Sequence, residues 1–392
     1  MKLGIILTND WELFGNGSGD YFENQKVPLI ELLKSINSHG FKLTVFAEVI
    51  QQFNLLQDSS DILNSKGIAK DWEDTIKKLL IEEHDVQLHI HPQLIRGSNE
   101  HLSEWSIANI KNDEMLNIIR KGKNYLESVL KEQNANYECI VFRAGGYAIQ
   151  PSENVINNLF LAGIKSDSTV TRGLVSSFFN FRHSYSSYFP WFCKTDIRKK
   201  NIDDNSILEL PIFSVSRIDM PIIRVMFPKL YYLLFHFVGL TKEEVQWIKQ
   251  TKRAKTQSTY SIKEKYQAEA SKSILKLLFF QLIQPYTLQF DYDKIPARVL
   301  IKYLLKKWKA ICNLNDDSLE KFSNCYIPIV LIGHAKDHYS NYNIDLFLKL
   351  LKSEFHEDYE SLSCSSFYNH YVSNLEGYEL LGEKLYSNML LK

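Results

Sequence analysis

The chain has 392 residues, of which 45% are hydrophobic and 13% aromatic, a composition sufficient for a large packed core. The 46 basic and 46 acidic residues cancel, so the overall charge gives no indication of a nucleic-acid partner. The five cysteines are scattered and form no CxxC pair, which argues against a disulfide framework or a cysteine zinc site and favours a reducing, cytoplasmic compartment.

Short apolar runs predict buried parallel strands, and segments with helical periodicity separate many of them. The runs are Leu3–Thr8, Lys42–Ala47, Val86–His91, Cys139–Phe142, Ile164–Asp167, Ile207–Leu210 and Pro328–Ile332. The helical segments include Val27–Ser38, Trp72–Glu83, Asn109–Lys131 and Glu153–Ala162. The first run is too short for a signal-peptide core, and no uncharged apolar stretch reaches the roughly 18 residues of a membrane span. This alternation is typical of an α/β fold, and seven strands favour a barrel.

The alternation breaks after the sixth predicted strand. Ile222–Leu240 and Ile274–Ile283 are rich in Leu, Ile and Phe, and the basic stretch Lys249–Lys255 lies between them. We interpret residues 214–324 as a helical insertion, with the first part of the barrel in residues 1–213 and its completion, with a C-terminal helix, in residues 325–392. The insertion could contact the inner face of a membrane that carries a lipid-linked substrate, or it could pack on the barrel with a solvated basic loop.

Polar side chains follow the predicted strands at the points where the strands end. In chain order they are Asp10, Glu12, Glu48, His89, His91, Arg143, Asp167, Glu209 and His334. The C-terminal ends of barrel strands are where functional groups gather, and His89 and His91 share one face of their strand. Imidazole and carboxylate ligands, a base and an acid are the groups that a metal-assisted hydrolase requires.

Five motifs carry a family resemblance. LTNDWE (Leu7–Glu12), QLHIHPQ (Gln87–Gln93), FRAGGY (Phe142–Tyr147), LELP (Leu208–Pro211) and LIGH (Leu331–His334) occur in the order that resembles the polysaccharide deacetylases, carbohydrate esterases that remove N-acetyl groups from sugar polymers. Within that family the chain looks most like the branch associated with cell-surface polysaccharide biosynthesis. The resemblance implies a distorted (β/α)7 barrel, a divalent metal such as zinc, and an N-acetylated carbohydrate substrate.

The first motif differs from the family pattern. The family has two adjacent aspartates, one the catalytic base and one a metal ligand, whereas this chain has Asn9-Asp10-Trp11-Glu12. In the frame that we prefer, Asp10 is the base, Glu12 supplies the missing ligand, and Trp11 contacts substrate. In the other frame Asp10 is the metal ligand and Asn9 stands in the base position.

The second motif also differs, because the family's second histidine corresponds to Gln93. His89 matches the first metal-binding histidine, and we predict that His91 replaces the second one. Glutamine is a poor zinc ligand, so this difference puts metal binding in question. The alternative for His91 is a hydrogen bond to a ligand or to substrate.

The remaining motifs supply the other predicted catalytic groups. By resemblance, Arg143 keeps the base ionised, and His334 is the general acid that protonates the departing amine. Gly145 and Gly146 permit a turn through which the Tyr147 amide could stabilise the oxyanion, although Tyr147 could instead be packing.

Three further residues are predicted to bind substrate. Asp167 and Glu209 could orient His334 or bind sugar hydroxyls, or they could form salt bridges. Trp191, within Phe189–Phe192, could line the sugar cleft or belong to the core. Two rival functions stay open: a metal-independent hydrolase of another C–N bond, as in allantoinase-like relatives, and a non-catalytic sugar-binding protein.

Overall fold

The computed structural model describes residues 1–15, 17–58, 62–95, 105–215, 241–248, 250, 288–313, 322–388 and 390–391. The strands are β1 (Lys2–Trp11), β2 (Leu43–Glu48), β3 (Asp85–Ile90), β4 (Val141–Ala144), β5 (Ser166–Asp167), β6 (Trp191–Cys193), β7 (Ile207–Glu209), β8 (Ser214–Val215), β9 (Leu288–Gln289), β10 (Tyr326–His334) and β11 (Tyr359–Ser361). The helices are α1 (Val27–Ser38), α2 (Val49–Gln57), α3 (Ile62–Ile81), α4 (Asn112–Leu130), α5 (Glu153–Leu161), α6 (Ala297–Cys312), α7 (Tyr342–Phe355), α8 (Cys364–Ser373) and α9 (Leu375–Ser387).

Seven parallel strands form the central sheet in the order β10-β1-β2-β3-β4-β5-β7. They match the seven strands predicted from the apolar runs. The short strand β6 pairs antiparallel with β7, and β11 pairs with the beginning of β1. Strands β2, β3 and β4 are buried along their whole length, as expected for parallel strands covered by helices.

The sheet curls until its two outer strands meet. Beyond β7, Ile212 bridges Val330 in a parallel sense, and the Phe213 amide donates to the Val330 carbonyl at 2.9 Å. The Tyr292 amide likewise donates to the carbonyl of Ile332 at 3.0 Å. These contacts bridge the β7 and β10 sides of the sheet, so the predicted distorted (β/α)7 barrel is confirmed.

The predicted helical insertion is described only in part. Residues 222–240 and 274–283, and nearly all of the basic stretch, lie outside the described residues. The described part contains β8 and β9, which pair antiparallel with Val215 opposite Leu288, then residues 290–292 against β10, and α6. Part of the predicted insertion therefore contributes to the barrel wall. Within the described ranges, none of the helices has the length and apolarity needed to cross a bilayer.

Candidate active site

Four side chains from the first three strands form a buried cluster at the C-terminal mouth of the barrel. Glu12 follows β1, Glu48 ends β2, and His89 and His91 lie on and directly after β3. One ligand atom from each residue lies within 4.8 Å of those from all the others. Two carboxylates and two imidazoles are a donor set that zinc and similar divalent ions accept. This cluster could hold a metal ion.

Hydrogen bonds fix the orientation of both imidazoles. The Nδ1 atom of His89 lies 2.8 Å from the Arg143 carbonyl, which can only accept, so Nδ1 carries the proton and Nε2 faces Glu12 Oε2 at 3.1 Å. The Nδ1 atom of His91 lies 2.7 Å from Glu48 Oε2 and 2.9 Å from Glu12 Oε2. Burial lowers the pKa of His91, but the Glu12 and Glu48 carboxylates outweigh it and raise the pKa to about 10. A metal ion bound at His91 would require the neutral ring.

Two further features position the cluster. The Oε1 atom of Glu48 accepts from the Ile50 amide at 2.9 Å and thereby caps α2, which holds its other oxygen towards His91. A Cβ atom on Gly145 would lie 2.6 Å from the His91 ring, so only glycine allows the backbone to approach the imidazole this closely. The first glycine of the FRAGGY motif therefore supports His91.

Lys336 is a member of this site that the sequence reasoning missed. It lies in the turn after β10 and forms an ion pair with Glu12 Oε1, and it donates to the Leu13 carbonyl at 3.2 Å. Burial raises the pKa of Glu12, but the charges of His91 and Lys336 outweigh it and hold the pKa well below its ordinary value. The only sequence signal was its position two residues after His334.

Asp10 lies beside the cluster and is paired with Arg143. Asp10 Oδ1 accepts from the guanidinium at 2.7 Å, and the same nitrogen donates to Thr8 Oγ1 at 2.9 Å. The other guanidinium nitrogens donate to the Ser168 carbonyl and hydroxyl at 2.7 and 3.0 Å, and the group stacks 4.1 Å above the Phe46 ring. Burial raises the pKa of Asp10, but the charges of Arg143, His89 and His334 together outweigh it and lower the pKa below its ordinary value. Asp10 is therefore ionised at neutral pH.

His334 lies on the other side of Asp10. Its Nε2 atom is 3.6 Å from Asp10 Oδ2, and its Nδ1 atom is 3.8 Å from Asp337 Oδ2. Asp337 is held in turn by Lys294, whose Nζ lies 2.6 Å from Asp337 and 2.7 Å from Asp291. Burial and the positive charge of Lys294 lower the pKa of His334, so the imidazole is neutral at neutral pH.

The structure thus brings Asp10, Glu12, His89, His91, Arg143 and His334 to one mouth of the barrel. It places Asp10 with Arg143 and His334, outside the four-residue metal cluster. It adds Glu48, which the strand-end pattern contained without a role, and Lys336, Asp337 and Lys294, which no motif contained. Gln93, the residue at the position of the family's second histidine, donates from its side-chain amide to the Gly15 carbonyl at 3.1 Å.

Tyr147 lies in a turn whose backbone is unusual. Its φ angle is 59°, next to Gly146 with φ of 58°, and a left-handed conformation is rare for a bulky residue. The Gln289 side chain donates to its hydroxyl at 2.9 Å. Strain of this kind is concentrated at functional sites, and the role of the Tyr147 amide stays a prediction.

Two predicted substrate contacts are wrong. Trp11 is fully buried on the face of β1 opposite Asp10, where it stacks on Trp72 with 5.2 Å between ring centroids. Trp191 is also buried, and its indole donates to the Ile197 carbonyl at 3.0 Å. Both tryptophans belong to the core and present no surface to a ligand.

Asp167 and Glu209 form a buried carboxyl pair, and their predicted roles towards His334 or sugar hydroxyls are wrong. Both are 0% exposed. Asp167 accepts from the amide and hydroxyl of Thr169, each at 2.9 Å, and Glu209 accepts from the Val170 amide at 2.9 Å. Burial raises the pKa of Asp167 to about 6, and burial together with the Asp167 charge raises that of Glu209 well above its ordinary value. Asp337 occupies the place beside His334 instead.

This carboxyl pair should make stability fall as the pH rises. A folded-state pKa above the unfolded value stabilises the protein at low pH, and this contribution is lost as the pH rises through about 6. Between pH 5 and pH 8 the wild type should lose about 1.4 kcal/mol of stability through Asp167, and Asp167→Asn should not show this loss. Urea denaturation at both pH values measures it, with Asp204→Asn, an exposed carboxylate, as the control. An unchanged pH dependence in Asp167→Asn would contradict a raised pKa of Asp167 in the folded protein.

Comparisons with known proteins give a likeness of fold. No model of a known protein family matches the sequence, and no curated protein matches it. A solved structure from Mycobacterium smegmatis, described as a polysaccharide deacetylase, is 13% identical over 95% of this chain and 91% of that one, with a TM-score of 0.46. An allantoinase is 11% identical over 95% of this chain and 90% of that one, with a TM-score of 0.43. A 4-α-glucanotransferase from Thermococcus litoralis is 11% identical over 94% of this chain and 40% of that one, with a TM-score of 0.46. These similarities concern backbone architecture, and the functional argument depends on the residues of the site.

Proposed function

We propose that this chain is a metal-dependent hydrolase of C–N bonds that removes the N-acetyl group from a carbohydrate during cell-surface polysaccharide biosynthesis. One observation carries the proposal. An ionised Asp10 lies between Arg143 and His334, at the same barrel mouth as the Glu12, Glu48, His89 and His91 cluster. A proton acceptor and a neutral imidazole therefore adjoin a donor set that suits zinc.

The two oxygens of Asp10 have different partners. Oδ1 accepts from Arg143, and Oδ2 faces His334 Nε2 at 3.6 Å. Oδ2 is thus the atom that would take a proton from the attacking water. A divalent metal held by the cluster would polarise the amide carbonyl and lower the pKa of the water.

His334 has to receive a proton before it can donate one. Its pKa is lowered, so the imidazole is neutral before the reaction, and a general acid must be protonated. Its position 3.6 Å from Asp10 allows it to take up the proton released from water and pass it to the departing amine. Asp337, 3.8 Å from Nδ1, would stabilise the imidazolium formed in between.

The direct test is acetate release from N-acetylated oligosaccharides. We expect release by the wild-type protein, its loss after treatment with a chelator, its return when zinc is added, and no release by His334→Ala. A metal-loaded protein that binds the sugar and releases no acetate would favour the non-catalytic alternative.

A second candidate is a metal-independent hydrolase of a C–N bond. One observation favours it: the Lys336 ammonium contacts Glu12 and brings a positive charge to the cluster. In this case hydrolysis would continue after chelation, and the protein would contain no stoichiometric metal. Metal analysis of the purified protein, together with the chelator experiment, distinguishes the two candidates.

A lipid-linked substrate and membrane contact through residues 214–324 form part of the proposal. Helix α6, within this segment, contains five basic residues and no acidic residue. Four of these, Arg298, Lys302, Lys306 and Lys309, are exposed and line a groove of about 500 Å³ between α6 and α7, where Glu354 is the one acidic lining residue. A cationic surface of this kind is attracted to anionic lipid headgroups.

Charge reversal on α6 should weaken vesicle binding. Each basic residue near an anionic bilayer contributes on the order of 1 kcal/mol, so Lys302→Glu with Lys309→Glu should reduce partitioning onto anionic vesicles at least about tenfold. Co-sedimentation with vesicles measures it, and neutral vesicles provide the baseline. Lys66→Glu with Lys70→Glu, two exposed positions on α3, is the matched control. Equal losses in both double variants would contradict contact through α6.

A further inference from the structure

We infer that Lys336 is a resident counter-cation of the candidate metal centre, and that it competes with a divalent ion for the Glu12 carboxylate and so limits metal affinity. The inference rests on the metal site of the proposed function. It concerns a residue outside the motifs and outside the four candidate ligands.

Lys336 reaches the cluster from a different element than any of the four candidate ligands. The ligands come from the ends of β1, β2 and β3, whereas Lys336 lies in the turn after β10. Its ammonium pairs with Glu12 Oε1 and donates to the Leu13 carbonyl at 3.2 Å. The other oxygen of Glu12 lies 3.1 Å from His89 and 2.9 Å from His91. Lys336 thus occupies one of the two carboxylate oxygens that a metal ion could use.

The charges make this contact and metal binding antagonistic. Glu12 and Glu48 provide two negative charges, and a divalent ion alone neutralises them. With Lys336 in place as well, the two carboxylates, the divalent ion and the ammonium would together carry a net positive charge. Like charges at close range in a protein interior repel strongly. The Lys336 side chain is 16% exposed, and that of Glu12 is 6% exposed. A lysine with an exposed fraction has a route to solvent, where its ammonium can be hydrated, while Glu12 stays buried.

Removing the Lys336 charge should therefore strengthen metal binding. We expect Lys336→Met to lower the dissociation constant for Zn²⁺ at least about tenfold. Lys336→Arg keeps the charge and should bind zinc as the wild type does. Competition with a chromophoric chelator measures the affinity without any assay of activity. Lys42→Met, which removes a lysine paired with the exposed Glu83, is the matched control and should leave the affinity unchanged.

The outcomes separate the inference from the proposed function. Tighter zinc binding by Lys336→Met but not by Lys336→Arg supports the inference, and so does binding by Lys336→Met when the wild type binds none. Equal affinities in the wild type and Lys336→Met would overturn the inference and leave the metal-dependent function standing. Absence of zinc binding in every variant would overturn both. Lys336→Gln provides a second neutral variant if Lys336→Met fails to fold, which circular dichroism would reveal.

Discussion

Replacing Arg143 by methionine should lower the free energy of unfolding by about 3–5 kcal/mol, because it leaves the Asp10 carboxylate buried without a counter-charge. Arg143 is 0% exposed and donates to Asp10, Thr8 and Ser168. Its removal also takes away the guanidinium hydrogen bonds that the Ser168 carbonyl and the Thr8 hydroxyl accept in the wild type. Chemical denaturation of wild type and variant at pH 7 measures the difference.

A double variant tests the reason for this loss. Asp10→Asn combined with Arg143→Met removes the uncompensated charge, so the double variant should be more stable than Arg143→Met alone. If Arg143→Met lies within about 1 kcal/mol of the wild type, the ion pair does not hold the barrel mouth together. If the double variant is no more stable than the single one, the loss comes from packing and hydrogen bonds.

Asp10→Asn and Glu48→Gln should differ in metal content, because Asp10 is the proposed base and Glu48 belongs to the metal cluster. Asp10→Asn removes the proposed base, and the rate of acetate release should fall about 10²–10⁴-fold while zinc binding is retained. Glu48→Gln removes a carboxylate from the cluster and should weaken zinc binding at least about tenfold. The glutamine carbonyl can still accept from the Ile50 amide, so the cap of α2 is retained. Metal analysis and the acetate assay on the same preparations measure both effects.

The comparison also decides between the two frames of the first motif. Loss of zinc from Asp10→Asn would show that Asp10 is a metal ligand. It would contradict the assignment of Asp10 as the base, separate from the four-residue metal cluster. Gln93→Ala is the control for zinc binding, because Gln93 stands at the family's histidine position and bonds to the Gly15 carbonyl. It should bind zinc as tightly as the wild type.

The barrel could be predicted because its strands are fully buried. A strand covered on both faces appears in the sequence as a continuous apolar run, and helices with one apolar face produce the 3.6-residue period between the runs. Helix α1 begins and ends where the period predicts, and the strand β4 is displaced by two residues from its predicted bounds. The apolar pattern did not predict β6, β8, β9 and β11, which lie at an edge of the central sheet or outside its main strand order.

The membership of the site could be predicted better than its pairing. Position at a strand end was enough to gather Glu12, Glu48, His89 and His91 at one mouth. Which carboxylate faces the imidazoles and which faces Arg143 depends on distances between β1, β2, β3 and β4, which the sequence does not contain. Lys294 belongs to no motif, and it reaches Asp337 only when β10 and the segment before α6 come together. Asp337 lies three residues after His334, but no motif contained it.

The errors at Trp11 and Trp191 have different causes. Alternation along β1 already places Trp11 on the face opposite Asp10, so its burial against α3 could have been inferred. Trp191 lies on β6, an edge strand that the apolar pattern did not predict, and its packing depends on β7. An aromatic residue near a motif is therefore weak evidence for a ligand contact unless its strand face is known.

The antiparallel pair β8–β9 has a consequence for engineering. Val215 and Leu288 lie directly opposite each other, so the two chain positions that flank residues 216–287 lie side by side. A two-residue hairpin turn such as Asn-Gly spans that gap. Replacing residues 216–287 by such a turn should keep β8 paired with β9, but it would remove the buried Trp247 and the Glu244–Arg298 ion pair, so a shortened or grafted chain has to supply these contacts again.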